Sequence, residues 1–254
     1  IHGGRNTGGS SKSASYDGAN LASTHDLIVV SINYRLGPFG WFRHPALLTE
    51  SPTDNSGNYG TLDIIEALRW VRDNIHEFGG DAENVTIFGE SAGGFNVLSM
   101  VVSPQSKGLF HKAIVQSGGI DIAPVALAEN YVDDTNPGSL RSSREMVNNL
   151  LVIDSLAQSG PPMTRQIAKM HQESMSAGLL AEYMRGKSPD QILKAFEYQH
   201  PNQKEVQKQK IMGQPHTFGD GFVLPRGTET SVLFSDTSKY NAVPIILGTN
   251  RDEM

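Results

Sequence analysis

Short β-branched runs alternating with longer amphipathic segments constrain this chain more than any other feature. Leu27 to Asn33 is such a run, and Leu36-Gly37-Pro38 follows it, so it reads as a buried strand entering a loop. Val85 to Phe88, Ala113 to Gln116 and Val243 to Leu247 have the same character. Pro244, lacking an N–H for a ladder, must sit at the start or edge of the last strand. Between the first two runs, Leu62, Ile65, Leu68, Trp70, Val71 and Ile75 recur at three- and four-residue spacing, with Thr61 as N-cap and Gly79-Gly80 as terminator. This predicts a helix. A second helix is predicted from Ala92 to Val102, stopped by Ser103-Pro104. Strand, helix, strand in repetition implies an α/β fold with a mostly parallel central sheet and helices on both faces. Sites on such sheets form at the strand C-termini.

From about Asp121 to Pro215 the strand signals fade, and Leu, Ile and Met fall at helical spacing. This predicts a mostly helical insertion at about 121–215 within one domain spanning 1–254. Six of the eight methionines lie between Met146 and Met212 and read as flexible packing in small helical cores. Lys204, Lys208 and Lys210, with Glu205 beside them, read as a solvated face. A chain of 254 residues can bury roughly 70–75% of its unfolded surface without staples. With 21 Lys+Arg against 27 Asp+Glu, it lacks the basic excess needed to grip a phosphate backbone, so no nucleic-acid partner is expected. No apolar run approaches the ~20 residues of a membrane span, and a soluble protein is expected. The absence of cysteine removes disulfides, thiolate zinc and a thiol nucleophile together. The sequence opens on Ile1-His2-Gly3-Gly4 and stops at Met254 just after an apolar run, so it reads as an internal piece of a longer protein, incomplete at both ends. Secreted and cytoplasmic locations are equally compatible with it, and oligomeric state is undetermined.

Gly89-Glu90-Ser91-Ala92-Gly93 is a G-x-S-x-G pentapeptide, a weak signal alone in a chain with 26 glycines. Its setting strengthens it: a predicted strand runs in and a predicted helix leaves, the strand–turn–helix context in which a serine hydroxyl is held out above a sheet. A Cβ at Gly89 or Gly93 would collide with neighbouring backbone in so tight a turn. At the helix N-terminus, free N–H groups and the dipole favour developing negative charge. A serine hydroxyl still needs a base and an oxyanion site. His2-Gly3-Gly4, at the end of what Ile1 suggests is a strand, offers backbone N–H groups that can converge with that of Ala92.

These phrases, with Asn33-Tyr34-Arg35-Leu36-Gly37, Gly57 to Asp63, Ala67-Leu68-Arg69-Trp70-Val71, Phe78-Gly79-Gly80-Asp81 and Gln116-Ser117-Gly118, resemble the type-B carboxylesterase and cholinesterase-like family of the α/β-hydrolase fold. The resemblance is dense from 1 to about 119, thin through the insertion, and returns at Phe218 to Pro225 and Pro244 to Glu253. It implies Ser91 as nucleophile and Glu253, rather than Asp252, as the acid that orients a catalytic histidine. It also implies Gly4, Arg5 and Ala92 as oxyanion donors. Many relatives carry glycine where this chain has Arg5. Arg35 and Asp63 match a buried ion pair of the family, and Glu90 and Ser117 match the polar network behind the nucleophile. The family order is Ser, acid, His. All eight histidines (2, 25, 44, 76, 111, 171, 200 and 216) precede Glu253, so the base is expected from beyond Met254, and the 254 residues alone are expected to be inactive.

The function implied is hydrolysis of a small carboxylic ester through an acyl-enzyme, with no cofactor and no metal. A non-catalytic adhesion or binding relative, and an amide or peptide hydrolase on the same fold, are the alternatives. Retention of both Ser91 and Glu253 argues against the binding relative.

Overall fold

The computed structural model of the chain describes residues 1–157, 161–198, 217–227 and 230–253. Its elements follow in the order α1 (Ala19–His25), α2 (Tyr59–Asn74), β1 (Thr86–Glu90), α3 (Ala92–Val102), β2 (Lys112–Gln116), β3 (Ile122–Ala123), α4 (Val125–Glu129), α5 (Ser143–Leu156), α6 (Arg165–Ser174), α7 (Ala177–Arg185), α8 (Pro189–Glu197), β4 (Thr217–Phe218), α9 (Thr230–Leu233) and β5 (Ile245–Gly248).

Three of the β-branched runs form one parallel sheet in the order β1-β2-β5. Parallel neighbours need a crossover, and α3, lying where the sequence predicts it, supplies the first. Its Val97, Met100 and Val101 are fully inaccessible, and with Ile64 and Ile65 of α2 and Ala113 and Val115 of β2 they make the main core. Pro244 immediately precedes β5, where its carbonyl accepts from the Ala113 N–H (3.0 Å) and its missing donor is not needed.

Leu27–Asn33, expected as a strand, pairs with no described strand. It faces β1 across a cavity of about 970 Å³ whose walls include Val29, Ile32, Ile64, Leu68, Ile87 and Phe88. High β-propensity means that a segment fits a pleated surface; a ladder also requires a partner backbone ~4.8 Å away. Helix α2 likewise begins earlier than expected, with Asn58 in the cap position. Thr61 is buried in the first turn, where its hydroxyl accepts from the Trp41 indole (3.3 Å) and so does not cap. Trp70 leaves the core face, remaining 47% accessible and leaning on Phe78.

Helices α4 to α8 occupy the excursion between β3 and β4. The side chains of Ser142, Thr164, Ser176 and Ser188 cap α5, α6, α7 and α8, each accepting from the N–H three residues on. Val147, Leu151, Val152, Ala168, Leu180 and Met184 form a second core there. Met146 and Met184 are buried and Met163 and Met175 pack at the core margin, whereas Met170 faces solvent. Met212, Lys204, Glu205, Lys208 and Lys210 lie outside the described residues. The excursion is tied at its base. β3 pairs with β4 in parallel, and the fully buried Asn58 amide both donates to the Phe218 carbonyl and accepts from the Phe218 N–H, each at 2.8 Å.

Arg35 and Asp63 do pair, but not in the interior. The guanidinium grips the carboxylate through Nε (2.8 Å) and Nη2 (2.7 Å), and the Arg35 N–H adds a third bond (2.8 Å). Yet 51% of the Arg35 side chain and 25% of that of Asp63 remain accessible, with the Tyr59 ring and carbonyl beside the guanidinium. Desolvation is therefore partial, and the 3–5 kcal/mol expected for breaking a buried pair does not apply. Arg35→Met is expected to cost about 1–2 kcal/mol, with Asp63→Leu in the same chain recovering little more. Thermal melts of the single and double variants check this; a loss as large as that of a buried pair would contradict the observed exposure.

Candidate active site

β1 ends at Glu90, and Ser91 turns the chain directly into α3 with φ 55° and ψ −125°. Holding a residue with a Cβ there costs about 1–3 kcal/mol, so the surroundings must enforce it. They do so by close approach. A Cβ on Gly89 would lie 2.5 Å from the carbonyl carbon and oxygen of Gly93, and one on Gly93 would overlap the Ile1 carbonyl oxygen. Both glycines meet the steric demand read from the pentapeptide. The Ser91 N–H donates to the Gln116 carbonyl (2.9 Å), which carries the β1–β2 ladder one residue past the strand.

The segment 1–8 is packed against this turn. The Ile1 nitrogen donates to the Phe88 carbonyl (2.8 Å), and Gly4, Arg5 and Asn6 follow with φ of 114°, 57° and 55°. The Gly4 carbonyl accepts from Thr7 and Gly8 (3.1 and 3.0 Å), closing a left-handed turn. Gly3 donates its N–H to the Tyr16 hydroxyl (2.8 Å), whereas among the described residues the N–H groups of Gly4, Arg5 and Ala92 have no acceptor. Ala92 is the first residue of α3, so its N–H is one of the donors that a helix leaves unpaired. Three backbone donors, on Gly4 and Arg5 of the segment packed against the turn and on Ala92 next to Ser91, are therefore unpaired among the described residues, and the Arg5 side chain is exposed.

Parallel register sets the far side of the site. Glu90, Gln116 and Gly248 are aligned across β1, β2 and β5, so Ser91, Ser117 and Thr249 come next in one row at the strand C-termini. Ser117 repeats the sharp exit, with φ 49° and its N–H on the Gly248 carbonyl (2.7 Å). Beyond Thr249 the chain folds back, and Glu253 Oε1 accepts from the Thr249 hydroxyl (2.9 Å) and the Asn250 N–H (2.8 Å). Its pKa lies below the usual carboxylate value, chiefly through a hydrogen bond with the Ser117 side chain and then through the bonds from Asn250 and Thr249. Asp252 is solvent-exposed beside Arg251. At ~4.8 Å per strand, two strand spacings separate Ser91 from Thr249, a gap of roughly 10 Å with Ser117 on the strand between them. Glu90 is exposed at the end of β1, with its carboxylate beside Gly3.

None of the described histidines fills that gap. His2 is buried, stacked on Tyr34 with ring centroids 4.3 Å apart, and its Nδ1 lies 2.8 Å from the Gly3 carbonyl oxygen. His44, in the segment before α2, is buried against α6 of the helical excursion, bonded to Gln172 and Ala46; burial pushes its pKa down to about 4. His111 accepts from the Val85 N–H (3.2 Å), His76 adjoins Glu77, and His25 and His171 are exposed on α1 and α6. His200 and His216 lie outside the described residues.

Several residues that hold the site are missing from the sequence reading. Tyr34 donates its hydroxyl to the His2 carbonyl (2.6 Å), Tyr16 secures Gly3, and Asn96 of α3 donates to the Asn6 side chain (2.9 Å) in the interior. Asn96 carried a usable signal: it is an amide within a helix that is apolar apart from it and Ser99, and a buried amide has to find a partner.

Comparison with known proteins places this geometry in context. Residues 1–254 match the sequence model of the Carboxylesterase family. The fumonisin B1 esterase of Sphingopyxis macrogoltabida is 41% identical over 169 residues, covering 66% of this chain and 31% of that protein. A cocaine esterase of Oryctolagus cuniculus is 37% identical over 253 residues, covering 100% of this chain and 38% of that one. Among solved structures, the carboxylesterase of Geobacillus stearothermophilus superposes with a TM-score of 0.63 at 30% identity, over 100% of this chain and 43% of the other. The chain thus spans between about a third and less than half of the length of these relatives. Its parallel sheet, helical crossover and sharp serine turn are those of an α/β-hydrolase fold, and with the match running from its first residue to its last, the chain belongs to the carboxylesterase family.

Proposed function

We propose that these residues supply the nucleophile, the oxyanion donors and the acid of a serine carboxylesterase acting on small-molecule esters. They would do so as one α/β-hydrolase unit carrying a helical insertion. The observation that carries the reading is the row of strand ends: Ser91 on β1, Ser117 on β2 and, through Thr249, Glu253 on β5, with unpaired N–H groups beside the serine. In this reading Ser91 Oγ attacks the ester carbonyl carbon while a histidine from outside residues 1–254, seated in the gap, takes its proton. The N–H groups of Gly4, Arg5 and Ala92 receive the developing oxyanion, and the α3 dipole adds to them. The imidazolium then protonates the leaving alcohol, and water repeats the sequence on the acyl-enzyme. Glu253 holds the imidazole in the productive tautomer, and Ser117 positions Glu253. Glu90 stabilises the imidazolium from the other side. Arg35 and Asp63 brace the segment between the oxyanion loop and α2.

A fluorophosphonate probe tests this directly in the parent protein. It is expected to add covalently, one equivalent per chain, on the peptide that contains Ser91, and to block ester turnover in proportion. Labelling on another residue, or full labelling without loss of turnover, would remove Ser91 from the role.

A further inference from the structure

We propose that the Arg5 side chain selects esters whose acyl portion carries a carboxylate. The inference rests on the esterase reading above and names its substrate class. The backbone of Arg5 is held from both sides in the frame of the oxyanion donors. Gly3 is bonded to Tyr16 (2.8 Å), and the Gly4 carbonyl to Thr7 and Gly8. On the other side the Asn6 carbonyl accepts from Gly37 (2.7 Å) and the Asn6 side chain from Asn96 (2.9 Å). The direction in which the side chain leaves Cα is therefore set by the same contacts that set the donors. Its φ of 57° is one that glycine adopts without strain and that any side chain opposes, so the turn itself does not call for an arginine.

Nor does the fold use the charge. Arg35, Arg43, Arg69, Arg72 and Arg165 each hold a carboxylate, whereas Arg5 is exposed and has no ion pair, hydrogen bond or ring contact among the described residues. A guanidinium is permanently charged, more weakly hydrated than an ammonium, and shaped to take a carboxylate through two parallel bonds. In the esterase reading the Arg5 N–H receives the acyl oxygen, and a guanidinium on that same residue is long enough to meet a carboxylate a few bonds along the acyl chain. The chain carries a net charge of −6, so an anionic ester is repelled at long range and a cation at the site offsets this locally.

The test compares kcat/KM for monoethyl glutarate and for ethyl pentanoate, followed by titration of released acid in the parent protein. The ratio of the two cancels any change that a substitution makes to the oxyanion donors. In Arg5→Gln, which keeps the Cβ and the N–H, the ratio is expected to fall about tenfold or more, and Arg5→Lys is expected to restore part of it. In the wild type the ratio should also decline as ionic strength rises, and in Arg5→Gln it should not. Fluorophosphonate labelling of Ser91 in each variant establishes that the site is folded. Ser91-dependent turnover of both esters with the same ratio in wild type and Arg5→Gln would overturn the charge selection alone. Absence of Ser91-dependent turnover of ethyl pentanoate by the wild type would overturn the esterase reading and this inference with it.

Discussion

Ser91→Ala in the parent protein is expected to lower kcat for a p-nitrophenyl ester by about 10⁶-fold, with the fold and melting temperature nearly intact. The size follows from what is removed. In the proposed mechanism no acyl-enzyme forms without Oγ, and the oxyanion donors proposed at Gly4, Arg5 and Ala92 would offer only the ~10³–10⁴ over water that binding and an oxyanion site provide. Stability should hold because the Ser91 side chain makes no cap hydrogen bond to α3, and because the turn is enforced by the backbone approach of Gly89, Gly93 and Ile1. Steady-state rates on carefully purified variant, with the burst amplitude as a guard against contamination, decide the matter. A rate within tenfold of wild type would exclude Ser91 as nucleophile.

Glu253→Gln is expected to cost less, about 10⁴-fold in kcat, with KM little changed. In the proposed mechanism the acid neither attacks nor accepts the proton; it fixes the tautomer and steadies the imidazolium. Its surroundings make the swap specific. Oε1 takes hydrogen bonds from Thr249 and Asn250, and the carboxylate is further stabilised by Ser117, all of which favour the ionised form. An amide of the same shape keeps an acceptor for Thr249 and Asn250 but presents an N–H where the ring N–H needs an acceptor. Ser117→Ala should reproduce a small part of this loss and shift the acid limb of the kcat/KM profile without approaching the full effect. If Glu253→Gln retained more than a tenth of the wild-type rate, another acid would be at work.

Much of this arrangement was legible in local patterns. The pentapeptide between a β-branched run and an apolar helix foretold the elbow, and Gly89 and Gly93 are glycines for the steric reason that a tight turn suggests. Helix α3 spans the residues predicted because its start and stop are written within a few positions, in Ser91 and in Ser103-Pro104. What escaped reading depends on distant partners. Leu27–Asn33 has strand chemistry but no ladder partner among the described strands, Thr61 falls inside a helix that starts at Tyr59, and the Arg35–Asp63 pair forms as foreseen yet stays partly exposed. The row Ser91, Ser117, Thr249 was equally hidden, since strand order is a property of the sheet and not of any one strand. Tyr34 and Tyr16 were invisible as supports because a hydroxyl's partner is set by three-dimensional approach.

The clasp at the base of the helical excursion bears on how such a protein can change. The chain leaves at Ala123 and is back at Thr217 beside Ile122, with Asn58 bridging to Phe218 and Asp220 turning the following backbone through its bonds to Phe222, Val223 and Leu224. Both ends of the excursion are thereby anchored to the scaffold that carries Ser91, independently of what lies between. Once ends are pinned, doubling the length of the intervening segment costs only about 0.6 kcal/mol in closure entropy. Lengthening, trimming or exchanging those helices therefore leaves the row of Ser91, Ser117 and Thr249 undisturbed, as a tool head can be changed without altering the handle.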